Sequence, residues 1–140
     1  MSIPFHLAFP VKDIKETKKF YIDTLGCTVT TFTDHWLNIN FFGHQLSIHH
    51  YPQMKIDSKK ILVEKKKVPL HHFGVILKKE DWEILAEKLK KLKVDFLIKP
   101  KLKHESQMCE QAIMFLTDPS GNGIEFKCYT YPKHLFKDNC

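Results

Sequence analysis

Three residues in this chain are of types that ligate divalent metals and recur on strand-like runs: His6, His72 and Glu125. Each lies in a short apolar run that reads as a β-strand: 5–11 (FHLAFPV), 71–77 (HHFGVIL) and 123–129 (GIEFKCY). Side chains alternate across a strand. His6, Ala8 and Pro10 therefore share one face, and Leu7, Phe9 and Val11 the other. In the second run His72, Gly74 and Ile76 oppose Phe73, Val75 and Leu77; in the third Gly123, Glu125 and Lys127 oppose Ile124, Phe126 and Cys128. One face of each strand is bulky and apolar, suited to packing beneath a helix, and the other is small or polar. If the strands curve into one concave sheet, two imidazoles and a carboxylate converge. Such a donor set leaves a divalent ion positively charged, with about three positions open for a chelating substrate, water or dioxygen. The same residues admit a plainer reading. Nine His make chance arrangements easy, and each His can be a hydrogen-bonded core side chain while Glu125 is a surface charge.

The elements that must position these residues fall into a repeated pattern. After the strand at 5–11, Ile14, Thr17, Phe20, Tyr21 and Leu25 recur at helical spacing. Asp13 is the expected N-cap, with Glu16 three residues on, and Gly26 the stop. Three strands follow at 27–33, 36–42 and 45–51, separated by Asp34-His35 and Gly43-His44 turns. Residues 52–69 read as a Lys-rich linker with Ile61–Val63 as a possible short strand. The order then recurs: a strand at 71–77, a helix over Lys79–Leu92 with Trp82, Leu85, Leu89 and Leu92 on its apolar face, and strands at 94–98, 112–117 and 123–129. The stretch 118–122, DPSGN, is a strong turn signal. His6 aligns with His72 at an offset of 66 and Gly43 with Gly121 at 78, so the second unit is 12 residues longer. The polar stretch 99–111 absorbs the difference.

Composition narrows the class. A chain of 140 residues with 43% hydrophobic content and 11 Phe can build a core. No run approaches the ~18–20 apolar residues of a membrane helix, and no signal peptide is visible, so a soluble, cytoplasmic protein is expected. Cys27, Cys109, Cys128 and Cys140 form no C-x-x-C pair and are expected as reduced, mostly buried thiols. The net charge is +6, and all 22 basic residues are Lys. Without Arg, the usual reader of guanine and a favoured phosphate clamp, and with its Lys scattered, the chain offers no nucleic-acid surface.

The stretch FHLAFPVKDIKETKKFYIDTLGC resembles the opening of the vicinal-oxygen-chelate superfamily, which groups glyoxalase I, fosfomycin-resistance proteins and extradiol dioxygenases. HHFGVIL resembles the opening of that family's second module, and FLTDPSGNGIEFK its closing motif, which ends in the ligand Glu. FFGHQL is similar to the small extradiol-dioxygenase-like branch. The resemblance covers about residues 5–130. It implies an α+β fold of two βαβββ modules in an open, incompletely closed barrel (the glyoxalase/extradiol dioxygenase fold). It divides one domain, 1–140, into a first module at about 4–52, a linker at 53–69, a second module at about 70–130 and a tail at 131–140. It places a divalent metal on His6, His72 and Glu125, with Fe(II) expected and Mn, Ni or Zn as alternatives. It also implies a homodimer and a small-molecule substrate bound through adjacent oxygens.

Two departures shape the expected reaction. Ser47 stands where four-ligand family members carry a further acidic ligand, and no Arg is present to hold a phosphonate. An extradiol-type dioxygenase is therefore expected. A glyoxalase-type lyase or isomerase and a non-catalytic small-molecule-binding protein, its groove lined by Phe9, Phe41, Phe42, Phe115 and Trp36, are the alternatives. Strand parity puts Gln45, Ser47, His49 and Tyr51 on the face of His6. His49 is a candidate general acid or base; His44 and Tyr129 are candidate substrate contacts, and Lys127 a candidate attractor of anions. His71, one residue out of register with His72, should point the other way.

Overall fold

The computed structural model describes residues 3–137; Cys140, one of the four thiols considered above, lies outside them. The chain divides into two compact units: residues up to Ile56 together with Asp118–Gly121, and Asp57–Thr117 together with residues from Asn122 onward.

In the first unit β1 (His6–Val11) leads into α1 (Ile14–Lys19), followed by β2 (Thr28–Phe32), β3 (Trp36–Phe41) and β4 (His44–His50). The strand order is β1-β4-β3-β2, with β1 parallel to β4 and the other pairs antiparallel. Asp13 caps α1 as expected, its Oδ1 accepting from Glu16 N–H at 2.8 Å. The helix is shorter than its periodicity implies. From Phe20 to Thr24 it widens into a π-helical turn, with Leu25 N–H reaching back to the Phe20 carbonyl. The wide turn carries Tyr21 into the core beside Phe41 and Phe9. Beneath the helix lie Val11, Leu37, Ile39, Phe41, Leu46 and Ile48, all buried. The opposite face is small or polar and open: His6, Ala8, Pro10, Asn40, Gln45 and His49 are exposed.

The DPSGN turn is a rivet for this unit. Tyr21 donates its hydroxyl to buried Asp118 Oδ2 at 3.3 Å, Ser120 N–H donates to Asp118 Oδ1, and Lys12 N–H donates to Ser120 Oγ. Burial, reinforced by the Asp118 carboxylate, holds the Tyr21 hydroxyl proton well above its ordinary range.

The second unit repeats the plan. β7 (His72–Ile76), α2 (Lys79–Lys91), β8 (Ile98–Lys103), β9 (Gln111–Thr117) and β10 (Gly123–Tyr129) build a sheet of order β7-β10-β9-β8, again with the first and last strands parallel. Trp82, Leu85 and Leu89 of α2 are buried, and Trp82 Nε1 donates to the Phe126 carbonyl at 3.1 Å. Each sheet is open rather than closed on itself, and the two βαβββ modules match the expected α+β architecture.

One expectation fails locally. The strand read at 94–98 runs instead from Ile98 to Lys103. Lys99, Pro100, Lys101 and Lys103 look like a loop, but β8 is an edge strand, where Pro and Lys are tolerated because one side makes no ladder bonds. The linker holds the short strand expected at Ile61–Val63 and pairs it with a second one. It folds into a hairpin of β5 (Lys60–Val63) and β6 (Lys66–Pro69). Its tight turn places Glu64 and Lys65 at φ of 48° and 64°, a mirror-image turn usually signalled by Asn-Gly. Lys101 meets Glu64 at 2.8 Å and holds that carboxylate below its ordinary range. Val68, with Val63 beside it, packs on Ile98, Ile113 and Phe115, covering part of the face opposite α2. Pro132–His134 adds a short 3-10 turn to the tail. Cys27, Cys109 and Cys128 are buried, and no described helix is long and apolar enough to cross a membrane.

Candidate metal centre

The parallel pairing of β7 with β10 sets His72 opposite Gly123 and Gly74 opposite Glu125. Both glycines make room. A Cβ at Gly74 would overlap the Glu125 carbonyl oxygen, and one at Gly123 would stand 3.0 Å from the His72 Cβ. With no side chains at these positions, the imidazole and the carboxylate meet diagonally across the strands, His72 Nε2 lying 3.4 Å from Glu125 Oε2.

The chemistry of that contact follows from the other ring nitrogen. His72 Nδ1 lies 2.9 Å from the Pro69 carbonyl oxygen, which only accepts, so Nδ1 carries a proton. In the neutral ring Nε2 then presents a lone pair. The imidazole edge is further fixed by Phe115, its ring centroid 4.9 Å away at 64°. The Glu125 side chain is only 9% exposed. Nε2 and a buried carboxylate oxygen therefore face each other at a spacing longer than the 2.7–2.9 Å of a strong charged hydrogen bond. Two donors bound to one ion at about 2.1 Å would be about 3.0 Å apart at a right angle and about 3.4 Å apart at a tetrahedral angle. The observed spacing fits a divalent ion, and the carbonyl behind Nδ1 is the kind of support that orients metal-binding histidines.

His6 belongs to the first unit. Its Nδ1 lies 2.9 Å from Gln45 Oε1, its register partner across β1 and β4. With the carboxamide oxygen as acceptor, the neutral form of this ring too carries its proton on Nδ1 and leaves Nε2 as the acceptor. Among the described residues no group of three or more His, Cys, Asp or Glu side chains stands together as a metal site; what the structure assembles is the pair His72 and Glu125. His71, as expected, turns elsewhere, to Asp57 at 3.3 Å.

The remaining candidates occupy different places. His44 Nδ1 accepts from Phe5 N–H at 2.9 Å, fixing the chain just before His6. His49 pairs with Pro10 and Trp36, four residues along β4 from Gln45 and so about 13 Å from it. Tyr129 pairs with Gln111, likewise about 13 Å along β10 from Glu125. Ser47 is occupied, donating to Asn38 Oδ1 at 2.7 Å. A depression of about 220 Å³ adjoins the pair, lined by His72, Gly74, Ile76, Glu125 and Lys127 among others. Sequence reasoning missed the Pro69 carbonyl, because the hairpin that delivers it carries no turn signature. It also missed the part played by Gly74 and Gly123, whose spacing from His72 and Glu125 was the available signal.

The chain matches the model of the Glyoxalase/Bleomycin resistance protein/Dioxygenase superfamily over residues 3–126. No curated protein matches the sequence. Among solved structures it is similar to a glyoxalase/bleomycin resistance protein/dioxygenase from Alicyclobacillus acidocaldarius, with 28% identity, a TM-score of 0.80, and 96% of this chain and 97% of that one covered. A genomically encoded fosfomycin resistance protein, FosX, from Listeria monocytogenes shares the fold at 15% identity and a TM-score of 0.66, with 96% and 99% covered. So does a glyoxalase/dioxygenase from Nostoc punctiforme at 16% identity and a TM-score of 0.67, with 91% and 90% covered.

Proposed function

Because the chain belongs to the glyoxalase/bleomycin resistance protein/dioxygenase superfamily, a family of vicinal-oxygen-chelate enzymes whose members generally bind a divalent metal, we propose that it is a metal-dependent dioxygenase of the extradiol type acting on a small substrate with adjacent oxygens. The observation that carries the reading is the His72 Nε2 and Glu125 Oε2 pair, two potential ligand atoms 3.4 Å apart with the imidazole held from behind by the Pro69 carbonyl. His72 and Glu125 are proposed as ligands, with His6 as the third donor and Fe(II) as the metal. A bound divalent ion would supply positive charge against which the substrate's oxygens bind and develop negative charge.

The chain's own residues do the rest. Pro69 and Gln45 hold the two imidazoles in the tautomer that binds a cation. His44 is assigned a positioning role, since it holds the backbone before His6. His49 and Tyr129 are proposed to meet outer parts of a substrate, given their distance along their strands from Gln45 and Glu125. Ser47, engaged with Asn38, supports a three-donor set rather than the four-donor set of glyoxalase-type relatives. A homodimer is proposed because superfamily members are often dimers, and a reducing, cytoplasmic setting accords with the buried thiols.

The test is elemental analysis of protein purified without added metal, followed by oxygen uptake with a panel of catechols. Iron at one per chain with catechol-dependent oxygen uptake is the expected result. His6→Ala, His72→Ala and Glu125→Gln should each lose the metal. Retention by all three variants would overturn the site, and zinc or nickel without oxygen uptake would replace the dioxygenase with a lyase or isomerase.

A further inference from the structure

Glu125 Oε2 also faces an ammonium group. Lys127 Nζ stands 3.5 Å from it, while His72 Nε2 stands 3.4 Å from the same oxygen. Lys127 sits two residues beyond Glu125 on the same face of β10, and with His72, Glu125 and Ile76 it lines the 220 Å³ depression. All of these residues lie in one unit. The side chain is 35% exposed, so its ammonium is neither locked in the core nor fully surrendered to solvent.

We propose that Lys127 competes with the metal for Glu125 and, once displaced, becomes the anion-holding group of the depression, so that a divalent cation and an anionic ligand bind with positive coupling. The inference rests on the metal reading above. An ammonium and a divalent cation repel each other strongly when both crowd one partly buried carboxylate oxygen, because the repulsion scales with the product of charges and is poorly screened there. Lysine's long flexible stem lets the ammonium leave without moving the strand. It swings over the depression, the place where a ligand chelating the ion would extend. The ligand class that this favours is a small anion whose charge lies beside its chelating oxygens. Coupling is reciprocal: the anion, by engaging Lys127, keeps it off Glu125 and tightens the metal.

The test is calorimetric titration of the full chain with Mn²⁺ alone, then of the Mn²⁺-loaded protein with oxalate. Wild type is compared with Lys127→Met, Lys127→Arg and Glu125→Gln. Lys127→Met is expected to bind Mn²⁺ about tenfold more tightly than wild type and oxalate about tenfold more weakly, in the usual range of coupling between two ligands. Lys127→Arg, which keeps the charge, should restore both values towards wild type. A merely structural lysine would change the melting temperature and neither affinity. If Mn²⁺ binds wild type, is lost in Glu125→Gln and is unchanged or weaker in Lys127→Met, the inference is overturned while the metal site stands. If Mn²⁺ binds none of the four, the metal reading fails and the inference falls with it.

Discussion

Gly74→Ala tests most directly how the His72 and Glu125 pair is built. A Cβ on residue 74 would overlap the Glu125 carbonyl oxygen and stand 2.7 Å from its carbonyl carbon, whereas real Cβ contacts stay beyond 3.0 Å. The obstacle is backbone, so no rotamer relieves it, and β7 must move away from β10. That movement costs the ladder bonds beside residue 74, about 1 kcal/mol for each of two, and overpacking adds about 1–3 kcal/mol. Alanine's smaller unfolded-state entropy offsets about 0.4–1 kcal/mol of this. The net is about 2–5 kcal/mol of destabilisation, a fall in Tm of roughly 6–18 °C for a chain of this size. The same displacement changes the 3.4 Å spacing of the two donors, so metal affinity falls with stability. Thermal melts by circular dichroism and Mn²⁺ titration read the two effects. Gly43→Ala is the control: no atom lies within 4 Å of its Cβ, and only its φ of +90° opposes the change, a cost of about 1–2 kcal/mol with no effect on metal. A Gly74→Ala protein melting within about 2 °C of wild type, under roughly 1 kcal/mol, with unaltered Mn²⁺ affinity would refute the argument.

Two further expectations concern stability. Tyr21→Phe removes the hydroxyl bond to buried Asp118 and should cost about 1–2 kcal/mol in urea denaturation near neutral pH. The folded state holds the Tyr21 proton above its ordinary range near 10. The stability this confers is complete below about pH 10 and is lost as pH rises further, because the unfolded chain ionises first. The wild type should therefore lose stability more steeply than Tyr21→Phe above pH 10, and parallel slopes would sink the account. Val68→Ala takes two carbons from a fully buried hairpin residue and should cost about 2–3 kcal/mol; a loss below about 0.5 kcal/mol would mean the hairpin is not packed on β8 and β9.

The sequence alone determined the elements whose signals are local. Alternation identified β1, β7 and β10 and put His6, His72 and Glu125 on their small or polar faces, because a two-residue period needs no knowledge of neighbours. Asp13, Gly26 and the apolar stripe of α2 marked the helices, and the matching order of elements announced the repeat. The tertiary structure decided what depends on partners distant in sequence. Lys99, Pro100 and Lys101 are strand-like only because β8 is an edge. Glu64-Lys65 turns tightly only because Val63 and Val68 find Ile98, Ile113 and Phe115 to cover. The Pro69 carbonyl that fixes His72, the two missing side chains that let it approach Glu125, and the Lys127 ammonium on the same oxygen were all set by the register of β7 against β10. Register is a contact between strands some fifty residues apart, so no local pattern encodes it, and the chemistry of the pair follows from it.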